Sequence, residues 1–341
     1  MELNSFSLNL WVTEFCNLNC RYCYESENKC SKYLSKSVAE QVLLYIKNKV
    51  AQDNYDAIWI NYHGGEPFLN FEIIKWFTDK IKKTFSFMKC FFSVTTNATI
   101  INDEILDYIR VNIGEITLSI DGTKISHDKN RVYKNGMGTH HVVMDNARKI
   151  NSICSDKVRI RTVITPDNVE NLYNDIMYLF NQGFKIICSG INFYDVSWNE
   201  LHMECLKNNL IKLKFSLKDS RVLYSLFEDV GKSKGRCFIG GEDLQIATNG
   251  KIYACAYTYN MAEYLIGDIW NGVDERRCAE LNKINMEVPA MPECDGCSNY
   301  YCCNNTRCFL VNKQVTGDYY KPISVVCALE NIKSEVSGII V

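Results

Sequence analysis

Three cysteines near the start of the chain stand in the run Cys16-Asn17-Leu18-Asn19-Cys20-Arg21-Tyr22-Cys23. Thiolates at spacing C-x3-C-x2-C can hold three irons of a [4Fe–4S] cluster and leave the fourth iron without a protein ligand. An iron left open in this way is a substrate site. Positions i, i+4 and i+7 also share one helical face, and cysteine is often buried, so a core stripe is the competing reading. The intervening Asn17, Asn19 and Arg21 argue against it, because they make a poor helix interior. The run follows Ser7-Leu8-Asn9-Leu10-Trp11-Val12-Thr13, whose alternation and β-branched and aromatic residues predict a strand. Cysteines in the loop after a first strand are placed for ligation.

A second constellation lies at the other end. Cys237 and Cys255 flank Gly250 in the pattern C-x12-G-x4-C, and Asn249-Gly250 is a hairpin-turn signal. Residues 244–247 and 251–254 would pair and bring the two cysteines near one another. Cys294-x2-Cys297-x5-Cys303-x4-Cys308 follows, and then Cys327 after a longer gap. A C-x2-C beside further cysteines signals ligation, with a four-cysteine zinc ribbon as one possible occupant. Seven thiolates are too many for one zinc and suit two metal sites.

Composition narrows the class. A chain of 341 residues can form one large α/β domain and a smaller one. The formal charge of −2, with no Lys/Arg stripe interleaved with aromatics, argues against a nucleic-acid partner. No signal-peptide pattern and no apolar run long enough to cross a bilayer is present, so a cytoplasmic protein without a membrane partner is expected. In that compartment the 17 cysteines do not form a disulfide framework. Cys30, Cys90, Cys154, Cys188 and Cys205 are isolated, and most of them are expected to be small buried hydrophobes.

The elements that would position these residues alternate. Strands are predicted at 7–14, 57–62, 90–95, 115–120, 158–164 and 185–192. Helices are predicted at 37–50, 71–85, 103–111, 139–151 and 168–182. Such alternation predicts a parallel sheet of βαβ units, and six strands match a partial barrel, although a doubly wound sheet has the same count. Residues 197–230 read as a helical bridge, and the polar run Gly231-Lys232-Ser233-Lys234-Gly235 as a boundary. From Cys237 onward, short strands, tight turns and nine of the cysteines are expected.

The ordered motifs resemble the radical SAM superfamily and, within it, the SPASM-domain peptide-modifying enzymes, over nearly the whole chain. Cys16, Cys20 and Cys23 look like its cluster motif, with Tyr22 in the aromatic slot whose backbone meets adenine. Gly64-Gly65-Glu66-Pro67 resembles the segment that binds the amine of S-adenosylmethionine (SAM). Thr95-Thr96-Asn97 and Ser119-Ile120-Asp121-Gly122 end the third and fourth strands, where residues line the active-site mouth of such folds. His127-Asp128-Lys129-Asn130-Arg131 resembles the stretch whose arginine meets the SAM carboxylate.

The resemblance implies an α/β fold: a partial (β/α)6 TIM-like barrel (1–195), a helical bridge (196–232) and a C-terminal Cys-rich SPASM domain (233–341). It also implies SAM and three [4Fe–4S] clusters. By analogy Cys294, Cys297, Cys303 and Cys327 would hold one auxiliary cluster, and Cys237, Cys255 and Cys308 the other. Two departures leave choices open. The last interval is x4 rather than x3, with Cys302 beside Cys303, and the second set lacks a fourth cysteine unless Cys278 supplies it.

The activity implied is a cross-link in a ribosomally made precursor peptide, either a thioether or a C–C or C–O bond. A 5′-deoxyadenosyl radical would take a hydrogen atom from the peptide. Alternatives are a sulfatase-maturase-like peptide dehydrogenase and an epimerase. The maturase branch carries an aspartate base after the cysteine matching Cys255, where this chain has Ala256. Asp121, Asp195 and several tyrosines remain candidate bases. A flavodoxin or ferredoxin would supply electrons. The chain starts only a few residues before the first strand, so leader recognition is expected from a separate protein or from the barrel and SPASM surfaces.

Overall fold

In the first strand, apolar side chains alternate and then run together: Phe6, Leu8 and Leu10 are buried, followed by Trp11 and Val12. A strand covered on one face at its start and on both at its end belongs inside a parallel sheet. The structure, a computed structural model, describes residues 4–25, 32–53, 55–228, 230–233, 235–241 and 243–339. Cys30 and Lys234 of the expectations above lie outside the described residues.

The expected strand–helix alternation is present. It runs β1 (Ser5–Thr13), α1 (Lys36–Gln52), β2 (Ala57–Gly64), α2 (Phe71–Thr84), β3 (Lys89–Thr96), α3 (Asp103–Asn112) and β4 (Glu115–Ser119). It continues with α4 (Lys124–Asn130), α5 (His140–Cys154), β5 (Val158–Ile164), α6 (Leu172–Asn181), β6 (Ile186–Ile191) and α7 (Glu200–Leu217). The fold is α/β with a parallel sheet, and six strand–helix repeats fit the partial (β/α)6 form.

Local chemistry explains the elements. Ser35 caps α1 by accepting from the Val38 N–H at 3.2 Å. Helix α2 buries Phe71, Ile74, Phe77 and Ile81, a helical stripe in which each large side chain stabilises by about 1.5–3 kcal/mol. Gly183, at φ +85°, ends α6 in the left-handed conformation expected after Asn181-Gln182.

Two compact units divide the chain. One comprises Met1–Asn19, Cys23–Leu118 and Phe238–Asn282, the other Cys20–Tyr22, Ser119–Cys237 and Lys283–Val341. In the first unit β1, β2, β3 and β4 are neighbours in that order and parallel. On the other side of β1 the parallel strand β8 (Leu244–Ile246) pairs Leu8 with Leu244. A meander follows through β9 (Lys251–Tyr253), β10 (Leu265–Asp268) and β11 (Gly272–Val273). The Asn249-Gly250 hairpin forms as expected, with Gly250 at φ +78°.

In the second unit β5, β6 and the short β7 (Leu223–Tyr224) are parallel neighbours, and α7 packs against α6. The stretch expected to be mostly helical holds α7, the two-residue β7 and the four-residue α8 (Ser225–Glu228). The C-terminal region corrects an expectation. Besides turns it holds α9 (Glu275–Met286), α10 (Phe309–Thr316) and α11 (Ser324–Ser337). Helix-forming Glu, Arg, Ala, Leu and Lys fill α9, and the cysteine spacing obscures that propensity. Among the described isolated cysteines, Cys154 is buried, and Cys90, Cys188 and Cys205 are half-buried. Among the described residues no helix is long and apolar enough to cross a membrane.

Candidate functional site

In the first unit the loop after β1 is laced to the end of β2. The Gly65 N–H donates to the Thr13 carbonyl at 3.1 Å, and the Glu66 N–H to that of Phe15 at 3.0 Å. The approach is too close for side chains. A Cβ on Gly64 would lie 2.0 Å from the Thr13 oxygen, and one on Gly65 would lie 2.4 Å from the Phe15 oxygen and 2.9 Å from Cβ of Cys16. Glycine at both positions lets the Gly64-Gly65-Glu66-Pro67 segment sit directly on the segment that carries Cys16.

Glu66 is fully buried, and its carboxylate organises this loop. It accepts from Thr96 Oγ1 and the Asn97 N–H, both at 2.7 Å, and from the Phe68 N–H at 3.2 Å. Burial pushes its pKa up to about 7, against the pull of those three donors. Pro67 opens a short turn that Glu66 caps, at a position that needs no N–H.

Asn97 then ties the end of β3 to the cysteine loop. Its Nδ2 donates to Asn17 Oδ1 at 2.9 Å and lies 3.8 Å from Cys16 Sγ, and the Leu18 N–H points at that sulfur from 3.4 Å. Asn17 in turn donates to Thr99 Oγ1 at 2.8 Å. Sequence reasoning singled out Asn97 and missed Asn17 and Thr99. The missed signal is Thr99 two residues after an asparagine, the spacing of an Asx turn, and its N–H does donate to Asn97 Oδ1.

Within the second unit Tyr22, Asp121 and Arg131 come together. Arg131 donates from Nε and Nη2 to the two Asp121 oxygens, at 3.0 and 3.2 Å, and the Tyr22 hydroxyl also bonds Asp121. The guanidinium lies 5.2 Å from the centre of the Tyr22 ring. Burial works against the Arg131 charge, but Asp121, Tyr22 and Cys20 outweigh it and hold the group protonated. Asp121 Oδ1 accepts from the Val163 N–H at 2.9 Å, while the Asp121 N–H donates to His127 Nδ1 at 3.3 Å. Burial pushes His127 down to about 3, so its ring is a neutral acceptor there. Ser119 ends β4 and starts this segment.

Among the late cysteines of the second unit, Cys327 lies within electrostatic reach of Cys294, Cys297 and Cys303, and Cys294 within reach of Cys297. Burial raises the pKa of Cys294, and Cys327 and Cys297 raise it further. Cys327 is raised by burial and by Cys297, and Cys303 is pushed up to about 11 with a contribution from Cys327. Cys302 instead turns its thiol to the Asn299 carbonyl at 3.3 Å. Cys237 and Cys308 also belong to the second unit, and Cys255 and Cys278 to the first. Cys278 is buried, and a Cβ on Gly240 would lie 2.4 Å from its sulfur. Among the described residues no three His, Cys, Asp or Glu side chains converge on one ion position. A four-iron cluster needs no such convergence, because each thiolate takes a different iron.

A polar cluster in the first unit was not foreseen. Trp11 stacks on Tyr259 at 4.3 Å and meets the His63 ring at 4.5 Å. Glu14 is buried and accepts from Thr248 Oγ1 at 2.6 Å and the Tyr259 hydroxyl at 3.0 Å. Three segments distant in sequence meet here, so no local pattern announces it.

The family model for the Radical SAM superfamily matches residues 11–179. An uncharacterized protein of Methanocaldococcus jannaschii, MJ0907, is 35% identical over 182 residues, 53% of this chain and 60% of that protein. A cysteine-type anaerobic sulfatase-maturating enzyme of Clostridium novyi is 26% identical over 324 residues, covering 85% of this chain and 84% of that enzyme. The solved structure of native anSMEcpe with bound AdoMet and Kp18Cys peptide shares the fold. Its TM-score is 0.80 at 19% identity, over 98% of this chain and 97% of that one.

Proposed function

The chain carries a radical SAM domain, and on that premise we propose that it is an enzyme that installs a cross-link in a ribosomally made precursor peptide. When bound, a [4Fe–4S] cluster and SAM supply a carbon radical able to take a hydrogen atom from an unactivated carbon. Cys16, Cys20 and Cys23 would hold that cluster. The residues present fit it, since Cys16 Sγ faces the Leu18 N–H and the Asn97 amide, donors that stabilise a sulfur carrying charge.

The Gly64-Gly65-Glu66-Pro67 segment would meet the SAM amine with main-chain carbonyls, because the Glu66 carboxylate is committed to Thr96, Asn97 and Phe68. Asn97 orients the Cys16 loop. Arg131, fixed by Asp121, would offer a cation to the SAM carboxylate, with Ser119 and Tyr22 beside the cofactor. Cys294, Cys297, Cys303 and Cys327 would hold one auxiliary cluster, and Cys237, Cys255 and Cys308 the other, in a SPASM domain. A flavodoxin or ferredoxin would deliver electrons, and a separate protein could present the leader.

The observation that carries cross-linking is Ala256, a methyl group where the maturase branch uses an aspartate after the cysteine matching Cys255. A second reading, peptide dehydrogenation of the maturase type, is favoured by the likeness to the Clostridium novyi enzyme over 85% of this chain. Two synthetic peptides discriminate: the product of a short reading frame beside the gene, and a cysteine-containing sulfatase peptide. Reduced enzyme with SAM should release 5′-deoxyadenosine and remove two hydrogen atoms from the first peptide with its sulfur retained. Loss of sulfur from the second would favour the maturase reading. Failure to form 5′-deoxyadenosine would overturn both.

A further inference from the structure

Ala256 packs against the cluster of Trp11, Ala247, Tyr253 and Tyr259. On the far side of the Trp11 ring stands His63, the penultimate residue of β2, directly before the Gly64-Gly65-Glu66-Pro67 segment. Carboxyl ends of parallel strands line the reaction site in such folds. His63 is 19% exposed, while its Nδ1 is buried and has no hydrogen-bond partner among the described residues. The nearest charge is Glu25 Oε1 at 3.8 Å. The Tyr24 hydroxyl also meets the Glu25 carboxylate, and the Tyr24 ring lies 5.3 Å from that of Tyr257. The segments that follow Cys23 and Cys255 therefore come together around His63.

We propose that His63 is the base that accepts the proton the peptide loses, with Glu25 as its positioning residue. The proposal rests on the peptide-modifying reading above. A carboxylate facing Nδ1 selects the Nδ1–H tautomer and leaves Nε2 as the basic nitrogen, the division of labour of a histidine–carboxylate pair. At 3.8 Å the pair is not hydrogen-bonded, and catalytic hydrogen bonds are often this long before substrate binds. The other carboxylates named are engaged: Glu14 accepts from Thr248 and Tyr259, Asp121 from Arg131, and Asp195 from Ser197.

In a thioether-forming turnover, one peptide C–H bond and one S–H bond break and a C–S bond forms. The hydrogen atom would go to the 5′-deoxyadenosyl radical that bound SAM supplies, the thiol proton to Nε2 of His63, and the remaining electron to an oxidised iron–sulfur cluster that the late cysteines would hold. Burial lowers the His63 pKa and Glu25 raises it in part, which suits a ring that is neutral before it accepts a proton. Besides Glu25, the titratable groups around it are Tyr24, bonded to Glu25, with Tyr257 and Cys23 next to it, and Tyr259 stacked on Trp11, with Glu14 bonded to it.

The test uses reconstituted enzyme, the same two peptides, and the variants His63→Ala, His63→Gln and Glu25→Gln. Both His63 variants should still release 5′-deoxyadenosine and bind peptide by fluorescence anisotropy, while modified peptide falls about 10²–10⁴-fold. Glu25→Gln should move the acid limb of the pH profile to lower pH, because the group that raises the His63 pKa is gone. Without substrate, nitrogen NMR of labelled protein should find His63 protonated at Nδ1. Undiminished peptide product in His63→Ala, equal loss of product and 5′-deoxyadenosine, or a proton on Nε2 would each overturn the proposal. A wild-type enzyme that forms no 5′-deoxyadenosine would instead overturn the reading beneath it.

Discussion

The surroundings of Cys16 and of the Cys294, Cys297, Cys303 and Cys327 group differ in who holds the sulfur. Cys16 faces N–H donors, and its loop is fastened by two main-chain bonds to a segment too close for side chains. In the late group burial raises the pKa of Cys294, Cys303 and Cys327, and neighbouring thiols and the carboxylates of Glu293 and Glu330 raise it further. Donors are present there too: the Asn305 side-chain amide donates to Cys327 at 3.0 Å, and the Asn305 and Thr306 N–H groups to Cys303, but they do not cancel the upward shifts. The first arrangement is built by the protein, and the second gains most from a cationic iron core that its sulfurs can share. The Cys16 loop should therefore keep its shape when metal is withheld, whereas the C-terminal region should depend on it.

The largest effect is expected from Cys16→Ala, which removes a proposed cluster ligand. 5′-Deoxyadenosine, measured by chromatography, should fall to the uncatalysed background. Cys327→Ala sharpens the contrast: iron should fall by about four atoms per chain, SAM cleavage should persist, and the modified peptide should be lost. Retention of all the iron would break the assignment of that group.

Glu66 gives a pH signature in the first region alone. Its folded pKa of about 7 lies above the ordinary 4.5, so its stabilisation is complete below pH 4.5 and is lost as pH rises through 7. The change is about 3 kcal/mol, and Glu66→Gln should flatten that part of a denaturation-against-pH series. Gly65→Ala forces a methyl into the Phe15 carbonyl and should cost about 1–3 kcal/mol, with weakened SAM binding by calorimetry. Ser35→Ala, at the N-cap of α1, should cost about 1 kcal/mol in melting experiments and leave both cluster contents unchanged.

The barrel strands were legible because alternation and β-branched content are local properties, and 158–164 was placed to the residue. Helix α4 has only seven residues and two-residue β7 has no period to detect, so both escaped. The pairing of β8 with β1 is non-local, with Leu8 meeting Leu244, and turn chemistry predicts the hairpin but not its neighbour. The same division holds in the site. Strand-end residues such as Asn97 and Asp121 were visible in sequence. The contacts that give them meaning, to Asn17, Thr99 and Val163, arise from loops converging at strand ends. His63 was invisible for that reason, since its neighbours Trp11, Glu25 and Tyr259 come from different segments.

The most direct test is iron and acid-labile sulfide per chain on anaerobically purified, reconstituted enzyme. The account predicts about 12 of each, three four-iron clusters divided between the early and late cysteines. About 4 of each would contradict it, leaving a SAM cluster alone and the late cysteines as zinc ligands or structural thiols.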